Sequence, residues 1–220
     1  MIWICYIIML AVPYLMAGVN TSIIVCRLKT GKDIRTMGSG NAGLTNTLRV
    51  LGKGAAGIVL LGDVAKSALA VLIVRLAFLF IGGVNTADPT SAMTWVEYMA
   101  VFMAIVGHCF PLYYGFKGGK GVLAAISAIF VLDWRTACIL LGVFIVLVAA
   151  TRYVSLGSCI ASGSFFIAAF LFGSFLDRDP AFLVNTIIAA FSGGLIIFRH
   201  KGNIRRLISH TEKKLGEKAK

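Results

Sequence analysis

Blocks of nearly unbroken apolar residues alternate along this chain with short polar breaks. The blocks cover residues 2–25, 54–81, 93–110, 122–132, 136–150, 156–176 and 181–198. A helix needs about 20 apolar residues to cross the hydrocarbon core of a bilayer, so most of these blocks predict membrane spans. The pair around "DWR" is short on both sides. Asp133 and Arg135 do not sit comfortably in mid-bilayer, so the pattern predicts a hairpin of two short spans rather than one long helix. The fold class expected is all-α: a polytopic membrane helix bundle of about seven transmembrane helices. One domain should cover residues 1–210, with motif loops at about 26–53, 110–121, 151–158 and 199–210, and a solvated or membrane-surface tail at 211–220. The first block lacks the basic leader of a secretory signal and is long enough to remain as a span.

Composition supports the membrane reading. The 220 residues are 59% hydrophobic and 14% charged, with a mean hydropathy of +0.90; a soluble domain carries roughly a quarter charged residues. The net charge of +12 would suggest nucleic acid in a soluble protein. In a membrane protein it reflects cytoplasmic loops rich in Lys and Arg, or a site for anionic head groups and phosphates, so no nucleic-acid partner is expected. Alternating the spans puts 17 of the 21 Lys and Arg residues on one side. The other side collects Asp88, Asp133, Asp177 and Asp179 with only Arg135 and Arg178. This asymmetry predicts a cytoplasmic C-terminus and an external N-terminus, with the motif loops on the basic, cytoplasmic side. The five cysteines are scattered, without CxxC or CxxH spacing, which suggests neither a disulfide frame nor a zinc site. Cys109 beside His108 is no dyad, because helix neighbours point about 100° apart.

Two glycine-rich loops carry the candidate chemistry. Gly38-Ser39-Gly40-Asn41-Ala42-Gly43 fits GxGxxG, but that fingerprint needs a preceding strand and a βαβ unit, and membrane spans surround it here. "GFKGGKG" at 115–121 resembles a Walker loop in composition only; its spacing differs and Gly121 stands where a Ser or Thr would bind magnesium. Read without those motifs, Gly118, Gly119 and Gly121 predict a backbone nest for an anion that opens into a helix N-terminus, with Lys117 and Lys120 adding charge. Ser39, Asn41, Thr45 and Asn46 supply short polar groups, and Arg49 can grip phosphate bidentately. His108 reads either as a structural histidine or as part of the site. His200 and Asn203 read either as a basic juxtamembrane segment or as neutral donors facing the same pocket. Asp63 and Lys66, three apart on one helical face, read either as a helix-end ion pair or as polar support beneath the site. Arg75 has no partner identifiable from sequence.

Four stretches, taken together, resemble the bacterial acyl-phosphate:glycerol-3-phosphate acyltransferase family: "GSGNAGLTNTLRVLGKGAAGIVLLGDVAK", "GHCFPLYYGFKGGKGV", "RYVSLGS" and "FRHKGNIRRLISHTEKKLG". The resemblance covers essentially residues 1–216. It implies an enzyme of phospholipid synthesis in the bacterial inner membrane, transferring a fatty acyl group from acyl phosphate to the 1-hydroxyl of glycerol 3-phosphate. Lysophosphatidic acid and phosphate would be the products, and no cofactor or metal would be needed. It further implies phosphate binding by Ser39, Arg49 and Lys120, with Lys117 a second candidate and Gly40, Asn41, Thr45, Gly118, Gly119, Gly121 and Ser155 completing the substrate- and phosphate-binding set. His108, His200, Asn203 and Asn46 would form the catalytic set, while Ser155 and Ser158 would close the pocket or allow tight helix packing. The His-x4-Asp dyad of other glycerolipid acyltransferases is missing: Tyr113, Arg205 and Leu215 follow the three histidines at that spacing. The alternatives are a transporter of a phosphorylated small molecule, for which no internal repeat is visible, and a structural membrane subunit, which leaves both glycine loops unexplained.

Overall fold

The computed structural model describes residues 1–217; the last three residues of the expected tail, 218–220, lie outside the described residues. Among the described residues the secondary structure is helical throughout. The α-helices are α1 (Ile2–Gly18), α2 (Thr21–Thr30), α3 (Leu44–Phe80), α4 (Trp95–Cys109), α5 (Val122–Leu132), α6 (Trp134–Thr151), α7 (Val154–Gly163), α8 (Phe165–Leu171), α9 (Phe182–Arg199) and α10 (Lys201–Ile208). Six helical stretches are long and apolar enough to cross a membrane, and α5 is a shorter apolar helix. Large apolar side chains such as Ile7, Leu61, Val146 and Phe191 point outward, as lipid-facing residues must. This is a polytopic membrane helix bundle.

Apolar surface has no aqueous drive to cluster inside lipid, so close helix packing depends on small residues. Gly107 of α4 lies against the Tyr14 backbone of α1, and Gly193 of α9 against Ser162 of α7; a Cβ at either would fall on a carbonyl. Between these contacts Cys5, Phe78, Val101, Ile105 and Ile196 form the buried core.

The helix ends gather into two layers. In the acidic layer, Asp133 caps α6 by accepting from the backbone N–H groups of Arg135 and Thr136. Arg135 also pairs with Asp177 at 2.6 Å, tying the α5–α6 turn to the α8–α9 turn. Asp179 accepts from Thr94 before α4 and from Asn185 of α9. Arg75 finds its partner near this layer: Glu97 at 2.6 Å, with the Val131 carbonyl as a further acceptor. The basic layer contains the other ends of α1, α4 and α9 and the motif loops.

Two blocks depart from simple spans where apolarity alone gave no warning. The first divides at Val19–Asn20, where the Asn20 side chain accepts from Ile23 N–H and caps α2. The second, which begins at residue 54, is preceded by an extra helical arm, because α3 starts at Leu44 and kinks at Gly52, whose φ is 80°.

Candidate active site

The first loop is organised by two side chains. Asp33 accepts from the Arg35 side chain and backbone and from Arg27; the Arg35 guanidinium holds its carboxyl well below the usual range. Arg35 Nη1 also donates to the carbonyls of Tyr114 and Lys117, both at 2.9 Å, clamping the first loop to the second. From the first turn of α3, Asn46 accepts from Ser39 N–H at 2.8 Å and donates to the Met37 and Ile34 carbonyls. The resemblance assigns Asn46 to the catalytic set; in the structure it lines the cavity while its amide braces the loop. Asn20 holds the next turn by donating to the Ala42 carbonyl. Ser39, Gly40, Asn41, Thr45 and Arg49 are left lining a cavity.

The second loop departs from the expected anion nest. The N–H groups of Gly118 and Gly119 turn back to the Cys109 and His108 carbonyls, each at 3.1 Å. Their glycine character has a steric cause: a Cβ on Gly118 would fall on the His108 carbonyl, and one on Gly119 on His108 Nε2 and the Ala42 carbonyl. Arg199 donates to the carbonyls of both glycines, fixing the loop to the end of α9. What remains for an anion is the start of α5, after Gly121 at φ 86°. The N–H groups of its first turn lack intrahelical partners and favour negative charge.

The two loop lysines separate. Lys117 is exposed, outside the cavity lining, and contributes its carbonyl to the Arg35 clamp; its expected role as a second phosphate binder is not what the geometry offers. Lys120 lines the cavity and donates to Asn203 Oδ1 at 2.6 Å. Burial pushes its ammonium down to about 8.

His200 is 3% exposed, its Nδ1 lying 2.8 Å from the Ile196 carbonyl. Burial and the nearby Lys120 charge hold its imidazole to about 4, so it is neutral at neutral pH. Asn203 is not a free donor as the sequence suggested, because Glu212 accepts from its Nδ2 at 2.6 Å. Glu212 also accepts from Ser155 at 2.8 Å and Arg206 at 2.6 Å. The tail, read from sequence as solvated or membrane-surface, returns across the basic mouth, and Leu215 exchanges backbone and guanidinium hydrogen bonds with Arg152. Ser158 lines the cavity and donates to the Val154 carbonyl. Sequence reasoning missed Asn20, Arg35, Arg199 and Glu212; only the isolated acid in a basic tail carried any signal.

These groups share one cavity of about 1300 Å³. Its mouth presents Ser39, Arg49, Lys120, His200 and Asn203; its depth is walled by Leu123, Ile126, Leu140, Phe144 and Phe165. From Val122 to Ile129 the α5 wall descends seven residues, or about 10 Å at 1.5 Å per residue. A single space thus joins a basic, hydrogen-bonding mouth to an apolar interior.

The model of the glycerol-3-phosphate acyltransferase family matches residues 7–210. The chain belongs to this family. A glycerol-3-phosphate acyltransferase of Clostridioides difficile (strain 630) is 39% identical over 219 residues, covering 97% of each chain. Another, of Francisella tularensis subsp. novicida (strain U112), is 37% identical over 209 residues, covering 94% of this chain and 91% of its own. Among solved structures, the glycerol 3-phosphate form of PlsY (YgiH), an integral membrane glycerol 3-phosphate acyltransferase, superposes with a TM-score of 0.78 at 32% identity over 96% of both chains. Its lysophosphatidic acid form gives 0.74 at the same identity, over 96% of this chain and 95% of that one. The membership makes the chain an acyltransferase of phospholipid synthesis acting on glycerol 3-phosphate.

Proposed function

We propose that the acyl donor is an acyl phosphate and that the product is lysophosphatidic acid, released with inorganic phosphate. The observation that carries this reading is the cavity's division into a basic mouth and an apolar depth. A fatty acyl chain occupies the apolar part, and the two substrate phosphates meet Ser39, Arg49, Lys120 and the start of α5. The related PlsY structures, described in glycerol 3-phosphate and lysophosphatidic acid forms, support the acceptor and the product. An acyl phosphate is already an activated mixed anhydride, so orientation and electrostatic stabilisation suffice without an enzyme nucleophile. A transporter would use polar groups through the midplane and repeats that rock about them; the apolar depth and the family favour transfer. The same reading places the protein in a bacterial inner membrane with seven crossings, the N-terminus outside and the basic mouth facing the cytoplasm.

The test is direct. Purified protein given palmitoyl phosphate and glycerol 3-phosphate should form lysophosphatidic acid and phosphate in equal amounts. Detergent-stable protein that makes neither sinks the proposal. Ser39→Ala, Arg49→Ala and Lys120→Ala should each lower kcat/KM by about 10- to 100-fold, the effect of losing a hydrogen bond to a charged group.

A further inference from the structure

His108 stands between two environments at the end of α4. The residue lines the cavity, and its Nε2 lies beside Gly119, where an added Cβ would meet it. Its Nδ1 lies 3.4 Å from Lys66 Nζ. Lys66 also lies 2.7 Å from the Val19 carbonyl, at the break between α1 and α2, and 2.8 Å from the Asp63 carboxylate. Thr21 donates to the same carboxylate. An ammonium has three protons and no lone pair, and here three acceptors surround it. His108 can serve as the third only through a lone pair on Nδ1, which puts the ring's proton on Nε2. His200 is held the other way. The Ile196 carbonyl can only accept, so Nδ1 of His200 carries the proton and Nε2 keeps the lone pair.

We propose that Lys66 is a positioning residue that locks His108 with its proton on Nε2, so that the cavity holds two neutral imidazoles of opposite polarity, His108 donating and His200 accepting. The consequence for catalysis rests on the acyl-transfer reading. The glycerol 1-hydroxyl oxygen bonds to the acyl carbon and the bond from that carbon to the phosphate oxygen breaks. Between these events the carbonyl oxygen carries negative charge, which the His108 N–H stabilises. The hydroxyl is oriented by His200 Nε2. That imidazole, held to about 4, is too weak a base to retain the proton, which passes to the departing phosphate and leaves as hydrogen phosphate.

The tautomers are measurable without turnover. Full-length protein labelled with ¹⁵N-histidine should show one ring protonated on Nε2 alone and one on Nδ1 alone, assigned by their loss in His108→Gln and His200→Gln. A His108 ring protonated on Nδ1, or on both nitrogens, overturns the proposal. Lys66→Met alone strands the Asp63 carboxylate in the bundle, so the variant to measure carries Asp63→Asn as well. It should fold, show mixed His108 tautomers and lower kcat by about 10- to 100-fold, the usual effect of removing such a supporting partner, with KM unchanged. An unaltered tautomer in that variant also overturns the proposal. Glutamine places an N–H near the Nε2 position and asparagine near Nδ1, so His108→Gln should keep more activity than His108→Asn; equal losses count against it. Wild-type protein with no acyl transfer would defeat the function proposed above and leave the tautomer measurement standing.

Discussion

At the scale of single residues, the loop lysines show what spacing leaves undecided. Lys117 and Lys120 have the same chemistry and lie three residues apart in one glycine-rich turn. The turn decides between them: it sends Lys117 outward and seats Lys120 against Asn203. Burial then lowers Lys120 to about 8, which sets a pH dependence of definite sign. Below that value the side chain is an ammonium and attracts phosphate; above it the charge is lost. kcat/KM reports groups of the free enzyme and should fall as pH rises through about 8. In Lys120→Arg that alkaline limb should vanish, because a guanidinium does not deprotonate there. A limb of unchanged position in Lys120→Arg would assign it to another group. His200, held to about 4, should add no limb between pH 5 and 8.

At the scale of elements, the apolar blocks disclosed the spans but not their interruptions. Val19 and Asn20 break a helix inside an apolar run, directly after Gly18; the interruption depends on Lys66 taking the Val19 carbonyl and Asn20 capping α2, and the first of these is a contact between segments that a linear pattern does not contain. The glycine loop was legible as a site, while its mechanism was not. Glycine there permits close packing against α4 as well as backbone approach to an anion, and for Gly118 and Gly119 the structure uses the packing. Gly118→Ala should therefore push the loop off the His108 carbonyl and move Lys120. Misplacement by about 1 Å costs roughly 100-fold in rate, and a wild-type rate in that variant would contradict this account. The tail is another element whose place depends on distant contacts. Arg206, Asn203 and Ser155 oppose the burial of Glu212 and leave its carboxyl below the usual range. A depressed carboxyl stabilises docking above its unfolded value, and that contribution is lost as pH falls through the folded one. Hydrogen exchange of residues 211–217 should accordingly be slow at neutral pH and accelerate on acidification below the ordinary glutamate range, beyond the intrinsic rate; Glu212→Gln should exchange fast at both.

At the scale of the whole molecule, charge and helix ends give the same partition. Met1 begins α1 near the acidic layer, where Cys5 donates to the Ala77 carbonyl and Ile2 lies beside Gly82. α5 has only 11 residues, about 16 Å of helix against a hydrocarbon core of about 30 Å. Nevertheless it links the two layers: its start follows the loop bonded to His108, and its end leads into the Arg135–Asp177 pair. The loop before it is bonded to the last two residues of α4, His108 and Cys109. Counting α5 as a crossing gives seven, which puts Met1 and the tail on opposite faces. In the orientation proposed above, the excess of Lys and Arg around the mouth faces the cytoplasm. Exposed positions on the two sides, Ala87 and Ser209, provide the check. In intact cells a membrane-impermeant maleimide should label Ala87→Cys and spare Ser209→Cys, which should react once the membrane is opened. A tag ahead of Met1 should behave like Ala87→Cys. Labelling of the tag together with Ser209→Cys would leave α5 as a re-entrant helix and the crossings at six.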